Sequence, residues 1–281
     1  MRGGQPSRTA RGAAAYRALH QTLDGGVIFR DPLASKLLDD ETRQRLDEIA
    51  ADDSLRPWRL FIAARSRFSE DALAASVAGG VRQVVILGAG LDTFSLRNPH
   101  GDRGVRVFEV DHPATQEWKR ERLQQAGLAV PASLTFVPID FERESLADGL
   151  KAAGFRADHP AFFQWLGVVP YLTREAVSAT LVFIAGVPGS EVVFDYAEPL
   201  ENYRADRRAQ VTAVAARAAE RGEPWLSLFD PAEVSELLRE KGFSTIEDLG
   251  LGEIADRLYG ALKHGISIGP GAHLVRARHL P

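Results

Sequence analysis

Apolar positions along this chain follow two rhythms, short unbroken runs and longer stretches at helical spacing. Val84–Leu87 is the clearest run: four apolar residues, three of them β-branched, lead straight into Gly88-Ala89-Gly90. Such a run suits a strand buried on both faces, as in a parallel sheet. Runs at Val105–Val110, Ser133–Ile139, Ala161–Val168, Ser190–Tyr196, Ser244–Leu249 and His273–Arg278 predict six more strands. Between them lie helical patterns over Ala114–Ala126, Glu144–Ala153, Thr173–Ala185, Glu201–Arg221 and Asp230–Lys241. Strands alternating with helices predict an α/β fold.

Ahead of the first strand the pattern is helical throughout. Ser7 or Thr9 can cap a helix that carries Tyr16 and Leu19 and stops at Gly25-Gly26. Asp31-Pro32 predicts the start of another, with Leu33, Leu37 and Leu38 as its apolar stripe. A short helix follows over Glu41–Ala50. The longest pattern is Arg56–Ala78, where Trp58, Phe61, Ile62, Arg65, Phe68, Ala72 and Leu73 recur at helical spacing. Arg65 thus falls on or beside the apolar face; spacing alone makes it, like Arg67, a surface charge. No repeat or low-complexity linker interrupts the chain. The expectation is one domain over residues 1–281: a helical cap over 1–80, then a Rossmann-like core over 81–281 with a helical insertion near 197–230.

The chemistry starts at the glycine turn. A strand running into Gly-x-Gly is the usual entry to a nucleotide crevice in an open α/β sheet, and a missing Cβ lets a ligand approach the backbone. The second strand ends in Glu109-Val110-Asp111, which places Asp111 where an acid can accept ribose hydroxyls. The third is closed by Asp140-Phe141, a carboxylate and a ring suited to an adenine. Each acid can equally cap the helix after it. A dinucleotide fingerprint wants a third glycine, but this chain has Thr93 there and Asp92 before it. A carboxylate beside the turn repels a pyrophosphate and tolerates a zwitterionic amino acid. S-adenosylmethionine therefore suits the three strand ends better than NAD.

Other chemistries fare worse. Gly265-Ile266-Ser267-Ile268-Gly269 matches a serine-hydrolase elbow as a string, but Pro270-Gly271 follows it and no acid comes later. The seven histidines form no His-x-x-x-His pair, no Gly-Lys-Ser/Thr follows the glycine turn, and cysteine is absent. No metal site, disulfide or thiol nucleophile is expected. A net charge of −4 argues against nucleic-acid and anionic-membrane partners. A cytoplasmic enzyme acting on a small molecule is the expectation.

Three motifs together carry a resemblance: Leu87-Gly88-Ala89-Gly90-Leu91-Asp92-Thr93, Phe108-Glu109-Val110-Asp111-His112-Pro113, and Trp165-Leu166-Gly167-Val168-Val169-Pro170-Tyr171-Leu172. The chain resembles the leucine carboxyl methyltransferase family over roughly Thr9 to Tyr196. It is most similar to bacterial S-adenosylmethionine-dependent O-methyltransferases, some linked to polyketide and other secondary metabolism. The resemblance implies a class I methyltransferase fold, a seven-stranded sheet with the last strand antiparallel. It also implies that Gly88 and Gly90 line the methionine end, Asp111 holds the ribose, and Asp140 and Phe141 hold the adenine. Arg65, in Ala64-Arg65-Ser66, resembles the family arginine that pairs with the cofactor carboxylate, and Arg17 resembles a basic residue of the N-terminal helix. Eukaryotic members carry a cofactor-contacting glutamate where this chain has Leu166, which points to a small-molecule acceptor here. A carboxylate acceptor needs no base; a hydroxyl needs one, for which Asp195, Tyr171, Tyr196 and Tyr203 are candidates by position. An NAD-dependent oxidoreductase and a non-catalytic S-adenosylmethionine-binding protein stay open as alternatives.

Overall fold

A computed structural model describes residues 8–140, 144–220 and 222–279. Seven strands form one sheet: β1 (Gln83–Leu87), β2 (Arg106–Asp111), β3 (Leu134–Pro138), β4 (Ala161–Trp165), β5 (Glu191–Ala197), β6 (Thr245–Leu249) and β7 (Ala272–Arg278). Their order is β3-β2-β1-β4-β5-β7-β6. The first five run parallel, and β7 is antiparallel to both β5 and β6. The predicted seven-stranded sheet with a reversed last strand is the one observed.

Both faces of the sheet are covered, which is why its central strands are apolar without alternation. Val84, Ile86, Phe162, Val193 and Leu274 pack on one face beneath the helix α4 (Arg56–Ala78). Val85, Leu87, Phe163, Phe194 and Val275 pack on the other, against α8 (Arg174–Ala185) and α10 (Pro231–Glu240). The period of two along each strand sorts neighbours to opposite layers. Each fully buried Val, Leu or Phe contributes about 1.5–3 kcal/mol relative to exposure.

The remaining helices are α1 (Arg8–Leu23), α2 (Asp40–Gln44), α3 (Leu46–Ala51), α5 (Phe94–Arg97), α6 (Pro113–Gln125), α7 (Leu146–Ala152) and α9 (Ala205–Glu220). Ala14, Ala15 and Ala18 of α1 pack with Leu37, Leu91 and Trp118, so the N-terminal helix rests on the glycine turn and α6. Asp24 ties α1 to α4, accepting hydrogen bonds from His20 (2.9 Å) and Arg59 (2.7 Å). Among the described residues no helix is long and apolar enough to cross a membrane.

Three local expectations are corrected. No helix begins at Asp31-Pro32; only a single 3-10 turn, Ala34–Leu37, forms before Leu38 turns extended. The Asp31 carboxylate accepts the local Leu33 N–H at 3.2 Å and is shared with tertiary partners, Arg17 at 2.9 Å and the Thr93 hydroxyl at 2.8 Å. Thr9 lies inside α1 rather than capping it; its backbone N–H donates to Glu223. Ser7 lies outside the described residues. The fourth strand stops at Trp165 rather than Val168, because Gly167 turns the backbone at φ 71°.

Candidate functional site

The carboxyl ends of β1, β2, β3, β4 and β5 open onto one cavity of about 1920 Å³. A single drug-sized ligand occupies roughly 300–1,000 Å³, so this space exceeds what one cofactor needs. Helix α1 lies across one side, through Thr9, Arg11 and Tyr16. Arg65 of α4 and Arg207 of α9 enter from others. The Thr9 N–H donates to Glu223 (3.1 Å), joining α1 to the segment after α9.

Gly88, Gly90, Asp111, Asp140 and Arg65 all line this cavity. Phe141 lies outside the described residues. The glycines are needed for a reason other than the one read from sequence. Both take positive φ, and the space a Cβ would fill is occupied by the protein: Val168 Cγ2 would overlap a Cβ on Gly88, and Ala10 Cβ would stand 2.9 Å from one on Gly90. Val168, in the third motif, thus packs directly on the first motif. The two are 80 positions apart in sequence and adjacent at the ends of β1 and β4.

Asp111 binds the turn itself. One oxygen accepts the Gly90 N–H at 2.6 Å and the other the His112 N–H at 2.7 Å. Burial raises its carboxyl above the usual range against those two hydrogen bonds and the charge of Lys119. Each oxygen keeps a second lone pair for a ligand hydroxyl. Lys119 also closes the buried polar layer below, 2.6 Å from Glu109 and 2.7 Å from the Asp92 carbonyl.

Asp92 decides between two kinds of ligand. Its Oδ1 accepts the Phe94 N–H (2.7 Å) and its Oδ2 accepts from Gln164 (3.0 Å). The glycine turn therefore leads into a four-residue helix whose first N–H groups face a carboxylate of the chain. A pyrophosphate needs those groups free, at the start of a longer helix. The donor set fits S-adenosylmethionine instead: carboxylate acceptors at the ends of β2 and β3, and a guanidinium at the end of β4.

That guanidinium is Arg65. It is half-buried rather than a surface charge, and its Nη1 lies 3.0 Å from Asp195 Oδ2 at the end of β5. Asp195 Oδ1 accepts the Gly167 N–H at 2.6 Å. The guanidinium lies close against Gly167, where an added Cβ would stand 2.7 Å from Nη1 and Nη2. Arg67, by contrast, is exposed and pairs with Asp71. Arg17 also lines the cavity and, beyond Asp31, donates to the Leu91 carbonyl at 2.6 Å, pinning α1 to the turn.

The positional candidates for a base differ in their surroundings. Asp195 is paired with Arg65. The Tyr196 hydroxyl donates to Asp248 (2.7 Å), and burial together with that carboxylate pushes it upward. Burial also raises Tyr171, and raises Tyr203 to about 12. Tyr196 belongs to a cluster that sequence reading did not anticipate. His273 stacks on its ring at 4.8 Å and lies between Asp248 (2.8 Å) and Glu198 (3.1 Å). Its members come from β5, β6 and β7, so no local spacing announces it.

This sheet order with one reversed strand, a glycine turn after β1 and acids ending β2 and β3 define the class I methyltransferase fold. The chain belongs to the leucine carboxyl methyltransferase family, whose model matches residues 10–185. YktD of Bacillus subtilis, named as an S-adenosyl-L-methionine-dependent methyltransferase by inference, is 33% identical over 99% of both chains. A Mycobacterium avium protein with the same inferred activity is also 33% identical, across 94% of this chain and 89% of its own. Among solved structures, a DUF574 family protein from Streptomyces avermitilis shares the fold with a TM-score of 0.59 at 17% identity. It covers 96% of this chain and 97% of its own.

Proposed function

We propose that this protein transfers the methyl group of S-adenosyl-L-methionine to an oxygen of a small-molecule acceptor that is already ionised when it binds. The methyltransferase class and the cofactor follow from the family; the oxygen acceptor is our reading. The observation that carries it is the state of the candidate bases. Asp195 is neutralised by Arg65, and the Tyr171, Tyr196 and Tyr203 hydroxyls are held protonated by burial. A neutral alcohol would find no base among them, whereas a carboxylate or an acidic phenol needs none.

When bound, the cofactor supplies an electrophilic methyl on a sulfonium. The chain's part is to bind, orient and exclude water. In this reading Arg65 pairs with the cofactor carboxylate and the Gly88–Gly90 turn lines the methionine end. Asp111 accepts the ribose hydroxyls, and Asp140 with Phe141 holds the adenine. Elements α4, α9 and the start of β7 wall the rest of the cavity, which would leave room for an acceptor beside the bound cofactor. No acid or base step is assigned, because the attacking oxygen brings its own charge. We place the reaction in the cytoplasm, in keeping with a chain that has no cysteine.

Calorimetry on Asp111→Ala tests the cofactor half. Losing a hydrogen bond to a charged group weakens binding by roughly tenfold or more. S-adenosylmethionine affinity unchanged from wild type, with the fold intact by circular dichroism, would remove Asp111 from the site. Labelled-methyl transfer to a panel of carboxylic acids, acidic phenols and alcohols tests the acceptor half. Alcohols methylated in preference to acids would refute it.

A further inference from the structure

Arg207 is a cation lining the cavity that has no ion-pair partner among the described residues. It lies on α9, where Arg207, Val211, Val214 and Ala218 recur at helical spacing and all face the cavity. Arg207 is half-buried, and among the described residues no acid pairs with it and no carbonyl accepts from it. Arg65, on the facing wall, is neutralised by Asp195. Two buried tyrosines share the space around Arg207. Its charge acts on both Tyr203 and Tyr259, opposed at Tyr203 by Glu198, which is itself held by His273 and the Gly271 N–H, and both tyrosines line the cavity. Neither hydroxyl has a hydrogen-bond partner among the described residues, and neither belongs to the sealed, unpartnered buried atoms. Both are therefore open to the cavity.

The position of this corner is set by the sheet. Tyr203 packs at the start of β7, its Cε1 3.7 Å from where a Cβ on Gly271 would stand. β7 lies two strands from β4, whose end carries Gly167 and Arg65. At roughly 4.8 Å per strand, Tyr203 stands about 10 Å across the sheet from the end of β4. Phe61, Trp225, Val211 and Val214 line the same cavity and are apolar or largely so.

We propose that Arg207, Tyr203 and Tyr259 form an anion subsite that anchors a carboxylate of the acceptor at the end remote from the oxygen that receives the methyl. The proposal rests on the methyltransferase reading for the word acceptor. A half-buried guanidinium flanked by two hydroxyl donors is the chemistry that recognises a carboxylate. An oxygen bound this way is a weakened nucleophile and lies away from the methyl, so it anchors rather than reacts. The acceptor is then an elongated, mostly apolar acid whose reacting oxygen lies near Arg65 and Asp195.

The test compares 4-phenylbutyrate with 4-phenylbutyramide by calorimetry on the full chain, with and without S-adenosylhomocysteine. Wild type is expected to bind the acid roughly tenfold more tightly than the amide, the size of one charge-assisted contact. Arg207→Gln should abolish that preference, Arg207→Lys should restore part of it, and neither should change S-adenosylhomocysteine affinity. No acid preference in wild type, or one that survives in R207Q, overturns the subsite. Should R207Q fail to fold, Tyr203→Phe combined with Tyr259→Phe decides in its place: a preference reduced several-fold supports the subsite, and an unchanged one overturns it. Failure of S-adenosylhomocysteine to bind wild type would overturn the methyltransferase reading instead. The acid–amide comparison without it would still decide this one.

Discussion

Gly167→Ala probes Arg65 without touching its charge. Gly167 has φ 71°, and an added Cβ would stand 2.7 Å from both terminal nitrogens of Arg65 and 3.0 Å from Cζ. The guanidinium is the far end of a flexible arm, so it is the group that moves. Reaching ordinary contact takes most of an ångström, enough to break the 3.0 Å bond to Asp195. Alanine at positive φ costs about 1 kcal/mol, and the lost charge-assisted bond about 1.5–3 kcal/mol. For a domain of this size each kcal/mol lowers Tm by roughly 2–4 °C, so a fall of about 5–15 °C is expected. If Arg65 holds the cofactor carboxylate, S-adenosylmethionine Kd should rise roughly ten- to a hundredfold as well. Calorimetry and thermal denaturation on one preparation separate the two effects. A Tm that falls as expected with Kd within about threefold of wild type would refute the cofactor role and leave Arg65 a structural partner of Asp195.

Arg17→Met should cost about 3–5 kcal/mol in urea unfolding, because it breaks a buried ion pair and frees the Leu91 carbonyl; a loss under 1 kcal/mol would mean that α1 is held mainly by its alanine face. Burial pushes His273 down, yet Asp248 and Glu198 together hold it above its ordinary 6.5. The stabilisation is therefore complete below pH 6.5 and lost as pH rises through the higher folded value. Tm of wild type should decline across that alkaline window, and His273→Gln should flatten the decline; parallel pH profiles would count against it. Asp92→Ala removes the cap on Phe94 and the Gln164 contact, and should lower stability by about 1 kcal/mol in the same unfolding assay. An increase in stability would mean the carboxylate is held under repulsion there.

Period and local chemistry determined much of this protein. The seven predicted runs became the seven strands; the central ones are unbroken because both their faces are buried, whereas edge strand β6 carries Glu247 and Asp248 and is only partly buried. Arg56–Ala78 became a helix with the same limits, and Thr173 and Asp230 became caps, because those signals act within one turn. The glycine turn and Asp111 were legible together, as one βαβ unit separates them. What lay beyond was decided by the tertiary structure. Asp31 reads locally as a helix start, but Arg17 and Thr93 reach its carboxylate from elsewhere in the chain. Arg65 reads as surface on spacing, and only the strand order brings Asp195, 130 positions later, to within 3.0 Å. Gly88 reads as a tight turn open to a ligand, and only the fold shows that Val168 packs where its side chain would be. Periodicity tells a residue which way to face; only the sheet order β3-β2-β1-β4-β5-β7-β6 sets what it faces.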